Sequence, residues 1–384
     1  MERWNPQLFR KQASVVAPDV LAQCIAVGRR ITALHRDVQP VFTLKHLAVL
    51  SEVDFGFIRQ TVARRTDAYT EFRVKKRSTQ NGDPRYRTIC VPSPGLMKVQ
   101  RWIAQNILAH VPAHACSVAF SKGDSLYKAV EPHCSAKWLV KLDIRNFFES
   151  ISEASIYLTL QSLGFEPLIA FEIARLCTRV VDDGMHRNDR WLNNFKHLSP
   201  YVIAQYTQTQ QGHLPQGAPT SPMLANLVCR ALDERLLAVA ERADVRYTRY
   251  ADDMTFSSDD ASFGRDRAQK LIQAVYKQLA CQSLSPNMAK TTIVPPAARK
   301  VVLGLSVEEA EPRLTRQFKA LLRQHIYYLS RRDVGVIKHA SARGFTSVTG
   351  LRHHLEGLLA FAAQIEPKWA AIQRSHFQAI KWPY

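Results

Sequence analysis

Arg249-Tyr250-Ala251-Asp252-Asp253-Met254-Thr255-Phe256 is the stretch on which the reading of this chain turns. Val245-Arg246-Tyr247-Thr248 precede it and Ser257-Ser258 follow. β-Branched and aromatic residues on both sides of a polar pair spell strand, tight turn, strand. Successive side chains of a strand point to opposite faces, yet at a bend two neighbours can be aimed at one point. Two ionised carboxylates held close repel each other, and a divalent cation relieves that repulsion. Asp is also an ordinary turn residue, so the pair alone is more often a solvated hairpin tip. The rest of the chain has to decide.

The whole sequence points to a polyanionic partner. It has 384 residues, 52 Lys and Arg against 33 Asp and Glu, and a formal charge of +19. The hydrophobic fraction of 46% is that of a globular chain with a large core. Nucleic acid fits such a charge better than an acidic membrane surface, because neither end carries a lipidation motif or amphipathic anchor. The opening MERWNPQLFRKQ lacks a signal-peptide core, and no apolar run approaches the roughly 18 residues that span a bilayer. Seven scattered cysteines without a Cys-x-x-Cys pair read as thiols of a reducing cytoplasm.

Upstream of the acidic turn, residues 1 to about 55 read as helical packing, with Leu21, Ile25, Val27, Ile31 and Leu34 in one stripe. Two cation-bearing strands flank the turn Asn81-Gly82-Asp83-Pro84, the second running from Arg85 through Val91. Such a hairpin can present Arg85 or Arg87 to phosphates, or simply be a basic solvated surface. Leu96 to His110 has helical spacing. Lys137 to Asp143 is an apolar strand ending in an acid, which is costly unless solvated or paired with a cation. Phe147 and Phe148 then cap the start of a helix over Ser152 to Leu163. Residues 182–213 have no clear period and read as an insertion or long loop. Leu214-Pro215-Gln216-Gly217-Ala218-Pro219-Thr220-Ser221-Pro222 opens a long helix from Met223 to about Glu241, with Thr220 or Ser221 as its cap. Gly217 lets backbone approach a ligand closely.

Downstream, Phe263 to Leu279 reads as a helix, Leu284 to Val294 carries Lys290, and Lys300 to Leu305 reads as one strand. Leu314, Phe318, Leu321, Leu322 and Leu329 then form a helical stripe, with Arg316, Lys319 and Arg323 on another face. A second helical pattern runs through Leu351, Leu355, Leu358 and Leu359. A basic helical end suits tracking of a phosphate backbone, or is a bundle with a solvated basic face.

The order of these pieces resembles a reverse transcriptase. A basic strand pair comes first, then LDIRNFFESI with Asp143, LPQGAPTSPMLANL (214–227), RYADDMTF, a Lys-Thr segment, and a strand with Leu303-Gly304. The resemblance covers about residues 70 to 305, and LPQGAPTSPMLANL with TRYADD is most similar to the retron enzymes, relatives of group II intron reverse transcriptases. Two retron motifs depart: only His133 of Asn-Ala-x-x-His is kept, in Ala129-Val130-Glu131-Pro132-His133, and Val-Thr-Gly becomes Val302-Leu303-Gly304.

The resemblance implies an α+β right-hand polymerase fold with fingers, an antiparallel-sheet palm and a helical basic thumb. Its divisions are an N-terminal helical extension over 1–55, fingers and palm over 56–305, and the thumb over 306–384. It further implies two Mg²⁺ ions bridged by Asp143 and Asp252, with Asp253 completing the cluster and the Ile144 carbonyl contributing. Phe148 matches the bulky residue under the incoming sugar, and Gln216 and Gly217 match the loop beside nucleotide and template. Arg85 and Arg87 are candidates for the triphosphate, with Arg87 favoured by its Arg-x-Ile setting, and Lys290 for the leaving pyrophosphate. Arg316, Lys319 and Arg323 belong to the RNA-recognition helices. The implied partners are deoxynucleoside triphosphates, a structured non-coding RNA with its branched DNA product, and an effector protein in antiphage defence. A non-retron defence or diversity-generating enzyme, and a non-catalytic RNA-binding scaffold, are the competing readings.

Overall fold

The computed structural model describes residues 3–13, 15–75, 86–180, 211–331 and 333–383. Four helices lead: α1 (Pro6–Gln12), α2 (Pro18–Leu34), α3 (Leu44–Ser51) and α4 (Phe55–Val62). Asn5, Thr43 and Asp54 cap α1, α3 and α4, their side-chain oxygens accepting from the first turn. An antiparallel ribbon follows, β1 (Tyr69–Lys75) with β2 (Tyr86–Pro92). Arg85 lies outside the described residues, as does the 182–213 segment apart from its last three residues. Helices α5 (Pro94–Asn106) and α6 (Leu126–Val130) lead to β3 (Trp138–Asp143). Helices α7 (Glu153–Ser162), α8 (Pro167–Cys177), α9 (Ser221–Val228) and α10 (Arg230–Arg242) come before β4 (Arg246–Tyr250) and β5 (Asp253–Ser258). Helix α11 (Gly264–Cys281) then leads to β6 (Thr292–Val294).

Strands β3 to β6 form one antiparallel sheet in the order β4-β5-β3-β6. Alternation divides its faces. Trp138, Val140 and Leu142 of β3, with Met254 and Phe256 of β5, enter the main core, which also takes residues of α2 to α5 and α7 to α11. Leu139 enters a second core on the opposite face, with Val302, Leu305 and Ala362. Residue parity puts Asp143 on that second face, and Asp253 directly opposite it shares the face.

His133 ties a short helical turn to this sheet. Its ring lies 2.8 Å from Ser257 Oγ and 2.8 Å from Thr248 Oγ1, wholly buried. Burial, aided by the charge of Arg246, lowers its pKa from 6.5 to about 3. The folded state therefore holds the ring neutral, while the unfolded chain takes up a proton below about 6.5. Stability from this group is complete above pH 6.5 and is lost as pH falls toward 3. Urea unfolding should show stability declining from pH 7 to pH 5, with a shallower decline in His133→Gln.

Three expectations are corrected. The helix expected from Met223 to Glu241 is two helices divided at Cys229, whose ψ of −1° is well off the roughly −42° of a regular α-helix though still right-handed. Neither Thr220 nor Ser221 caps α9 with its side chain; the Ser221 hydroxyl donates to the Pro215 carbonyl at 2.7 Å instead. The strand expected over Lys300 to Leu305 is folded on itself. Leu303 and Gly304 have φ of 47° and 83°, the left-handed pair a two-residue hairpin turn requires. That turn joins β7 (Val301–Val302) to β8 (Leu305–Ser306), and β9 (Arg313–Leu314) completes a three-stranded sheet.

The chain ends in helices α12 (Arg316–Ser330), α13 (Gly335–Ala342), α14 (Val348–Ile365) and α15 (Pro367–Gln378). Leu322, Leu329, Leu351, Leu355 and Leu359 share a third core. Leu314 belongs to β9 and not to the helical stripe, and Leu321 is exposed. No helix among the described residues is long and apolar enough to cross a membrane.

Candidate active site

The acidic turn is built by a two-residue link between β4 and β5, Ala251-Asp252, closed by the pair Tyr250 and Asp253. Ala251 has φ 55°, a left-handed conformation that costs a residue with a Cβ about 1–2 kcal/mol. A buried network holds it there. Arg249 Nη1 donates to the Ala251 carbonyl at 3.0 Å and to Asn226 Oδ1 at 3.2 Å. Arg249 Nε and Nη2 grip both oxygens of Asp233 at 2.7 and 2.6 Å, and Tyr247 donates to Asp233 Oδ1 at 3.0 Å. Both charged side chains are 0% exposed. A bidentate, fully desolvated pair fixes geometry more strictly than a surface contact does.

Across the sheet, β3 delivers Asp143 opposite Asp253, although Asp143 and Asp252 stand 109 positions apart in the chain. The Ile144 N–H donates to the Asp252 carbonyl at 3.0 Å, which binds the turn to the end of β3. Asp143 is 3% exposed and Asp252 is half-buried, while Asp253 keeps an open surface. Asn287 Nδ2 donates to Asp143 Oδ1 at 2.8 Å, and Lys290 Nζ to Oδ2 at 2.6 Å. Asn287 was not singled out by sequence reasoning; its place in the Ser285-Pro286-Asn287 turn just before Lys290 was the available signal.

The electrostatics are those of crowded negative charge. Burial first, then the charge of Asp143, raises the Asp252 pKa. Asp253 is pushed up to about 6, by neighbouring protein that still withdraws its carboxyl from water and then by Asp252 and Asp143. Burial works against the Lys290 ammonium, but its hydrogen bond to Asp143 and the three acidic charges outweigh that and raise its pKa. Among the described residues, no three His, Cys, Asp or Glu side chains are already gathered as a metal-binding cluster. The donor set nevertheless fits a divalent cation: hard carboxylate oxygens, mutually repelling, one already drawing in a cation from Lys290.

The other candidates fall around this centre. The Cys90 N–H of β2 donates to the Gln216 carbonyl at 2.7 Å, which brings the β1–β2 ribbon against the Gln216-Gly217 loop. Arg87, also on β2, is near enough for its charge to favour ionised Asp252. Gly217 has φ 111°, and a Cβ there would stand 2.8 Å from Ile89 Cγ2 and 3.0 Å from the Cys90 carbonyl. Gly217→Ala should therefore cost about 1–3 kcal/mol and shift the ribbon. A melting curve and a nucleotide-incorporation assay on that variant check both effects. Phe147 is buried, and Phe148 is half-buried against it with ring centroids 5.4 Å apart. The two rings lie in turns; the helix α7 they were expected to cap is capped by the Ser152 hydroxyl, which accepts from Ser155 N at 3.1 Å.

The basic residues of α12 lie apart from the acids in sequence and are not equivalent. Lys319 Nζ pairs with Glu366 at 2.7 Å and lies over the Trp369 ring, and the Arg323 guanidinium also lies over Trp369, 5.8 Å from its centroid. Arg316 is exposed at the first turn of α12.

Residues 74–312 match the family model of reverse transcriptases, described as RNA-dependent DNA polymerases. The chain is 27% identical over 305 residues to the Retron Ec86 reverse transcriptase of Escherichia coli, covering 78% of this chain and 82% of that one. It is 28% identical over 308 residues to the Retron Ec73 reverse transcriptase of the same species, covering 77% and 84%. The Retron Mx162 reverse transcriptase of Myxococcus xanthus is 29% identical over 248 residues, 63% of this chain but only 47% of that relative. A telomerase structure from Candida albicans, in complex with a fragment of telomeric RNA, aligns with a TM-score of 0.41 and 11% identity over 81% of this chain and 56% of its own, too loose a likeness to bear on the fold. The match spans the acids, strand β2 and the Gln216 loop alike: the chain belongs to the reverse transcriptase family, and within it to the retron type.

Proposed function

We propose that this chain copies part of its own structured non-coding RNA into a branched, RNA-linked single-stranded DNA, with two Mg²⁺ ions, in antiphage defence with an effector protein. The observation that carries the polymerase chemistry is the register of Asp143 against Asp253, with Asp252 at the same turn. The β1–β2 ribbon then serves as the fingers, the four-stranded sheet as the palm, and the helices after residue 306 as the thumb.

Asp143, Asp252, Asp253 and the Ile144 carbonyl would hold the metals. Bound there, a pair of divalent ions lowers the pKa of an attacking hydroxyl and neutralises charge on the transferred phosphate. The chain's own residues supply the rest. Arg87 offers a planar cation to the triphosphate, and Gln216 and Gly217 form the floor beside sugar and template. The Phe148 ring occupies the space a 2′-hydroxyl would need, which favours deoxynucleotides. The Lys290 ammonium, already drawn to Asp143, stands where pyrophosphate would leave. Arg316 is the most available phosphate contact of α12, while Lys319 and Arg323 must share their charge with Glu366 and Trp369.

Sequencing the RNA that co-purifies with the protein, with a search for a 2′–5′ branch, tests the retron assignment. One dominant RNA species joined to DNA through a guanosine 2′-oxygen is the expected result. DNA synthesis without any branch would assign the chain to a non-retron biology.

A further inference from the structure

A two-stranded ribbon is marginal by itself. Both strands of β1–β2 are largely exposed along the half that carries Arg87. Its height over the acids must be set by whatever grips its base. The register divides the ribbon into two faces. Phe72 with Ile89 and Val74 with Arg87 lie on the front, since Ile89 is the residue that meets Gly217. Tyr69 with Pro92 and Glu71 with Cys90 lie on the back.

Gln100 Nε2 donates to the Tyr69 hydroxyl on the back at 2.7 Å, and Arg179 holds that face more extensively. Arg179 follows α8, and its guanidinium donates through Nε to Asp67 Oδ2 at 3.0 Å and through Nη2 to the same carboxylate. Nη1 donates to the Glu71 carboxylate and approaches Cys90 Sγ at 3.4 Å. Its Cζ lies 5.8 Å from the centre of the Tyr69 ring. Tyr69 and Glu71 alternate along one side of β1 and Asp67 lies just ahead of that strand, so this one planar fork meets three side chains at the ribbon's base. The Arg179 side chain is only 12% exposed.

The backbone of Arg179 completes the link. Arg179 and His213 exchange both backbone hydrogen bonds, at 2.9 and 3.0 Å. His213 is three positions before Gln216, whose carbonyl accepts from Cys90 N. The ribbon is thus joined to the segment leading into the Gln216 loop from behind, by a side chain, and at its edge, by the backbone.

We propose that Arg179 is a positioning residue for nucleotide binding: by holding the back face of the ribbon against the Gln216 segment it sets Arg87, on the front face, over the acids. This rests on the reading of Arg87 as the triphosphate ligand. Arg179 touches no substrate, and its effect passes through the ribbon.

The test is steady-state deoxynucleotide incorporation on a primed RNA template by Arg179→Ala, Arg179→Lys, Arg87→Ala and the double alanine variant, with template affinity and melting temperature measured for each. Arg179→Ala should raise the nucleotide KM about ten-fold with kcat changed less than about three-fold, and Arg179→Lys should fall between it and wild type. The double variant should have a KM no higher than that of Arg87→Ala, because the ribbon's height matters only while Arg87 is there to be placed. Template affinity should stay within about two-fold of wild type, which a general loss of structure would not allow. A wild-type KM in Arg179→Ala beside a raised KM in Arg87→Ala overturns the role of Arg179 alone, as do single effects that simply multiply in the double variant. A wild-type KM in Arg87→Ala overturns the reading of Arg87 and this role with it. Should Arg179→Ala fail to fold, Asp67→Asn with Glu71→Gln leaves Arg179 in place and carries the same expectations.

Discussion

Asp252→Ala should abolish DNA synthesis while leaving the protein folded and RNA-bound. The carboxylate stands at a half-buried turn whose backbone is held from both sides, by Ile144 N on the Asp252 carbonyl and by Arg249 on the Ala251 carbonyl. Neither bond uses the Asp252 side chain, so its removal leaves the turn supported. Its loss also relieves repulsion, since burial and Asp143 hold its pKa up. Unchanged or slightly raised thermal stability is therefore expected alongside the loss of activity. Charge stabilisation in phosphoryl transfer is worth several kcal/mol, so incorporation should fall about a thousand-fold or more. Single-nucleotide extension on an RNA template, read beside a melting curve, separates the two effects. Residual synthesis within ten-fold of wild type would remove Asp252 from the proposed metal site.

Arg249→Met should be the most destabilising single change near the site, at about 3–5 kcal/mol. It strands Asp233, 0% exposed, with Tyr247 as a hydrogen-bond donor and without its cation. It also frees the Ala251 carbonyl, so the left-handed turn loses a support. Pairing it with Asp233→Leu removes the stranded charge, and replacing both members of a buried pair is often nearly neutral. The double variant should regain most of the stability measured by urea unfolding. It should not regain full activity, because the Arg249 donor to Ala251 is still missing. Full recovery of both would mean the network serves folding alone.

How much of this was legible in the sequence differs from residue to residue. Strand β3 and the Arg249–Phe256 hairpin announce themselves through β-branched and aromatic residues around an acidic bend, a local signal that packing had no reason to override. The main core is legible in part in the same way: Val27 and Ile31 of the first stripe enter it, whereas Leu34 of that stripe is exposed. The Arg249–Asp233 pair was not legible. Asp233 looks like an exposed position on a helix, and its partner comes sixteen positions later on a strand. Only the packing of α10 on β4 brings them together. Asn287 escaped for the same reason, since it lies in a turn and its partner Asp143 ends β3, 144 positions earlier. The Leu303-Gly304 turn was legible and misread, because the apolar residues around Gly304 suggested a continuous strand. The basic residues of α12 were legible but their pairing was not, since the contact of Lys319 with Glu366 depends on the fold of a helix end 47 residues away.

Manganese binding tests the central claim most directly, because it asks about the acids without asking for turnover. Wild-type protein with primed RNA template and a non-reactive deoxynucleotide analogue should deplete the free Mn²⁺ signal in electron paramagnetic resonance by two ions per chain. Asp143→Asn, which keeps the side chain's shape and removes its charge, should lose at least one of them. An unchanged stoichiometry and affinity in Asp143→Asn would contradict the account.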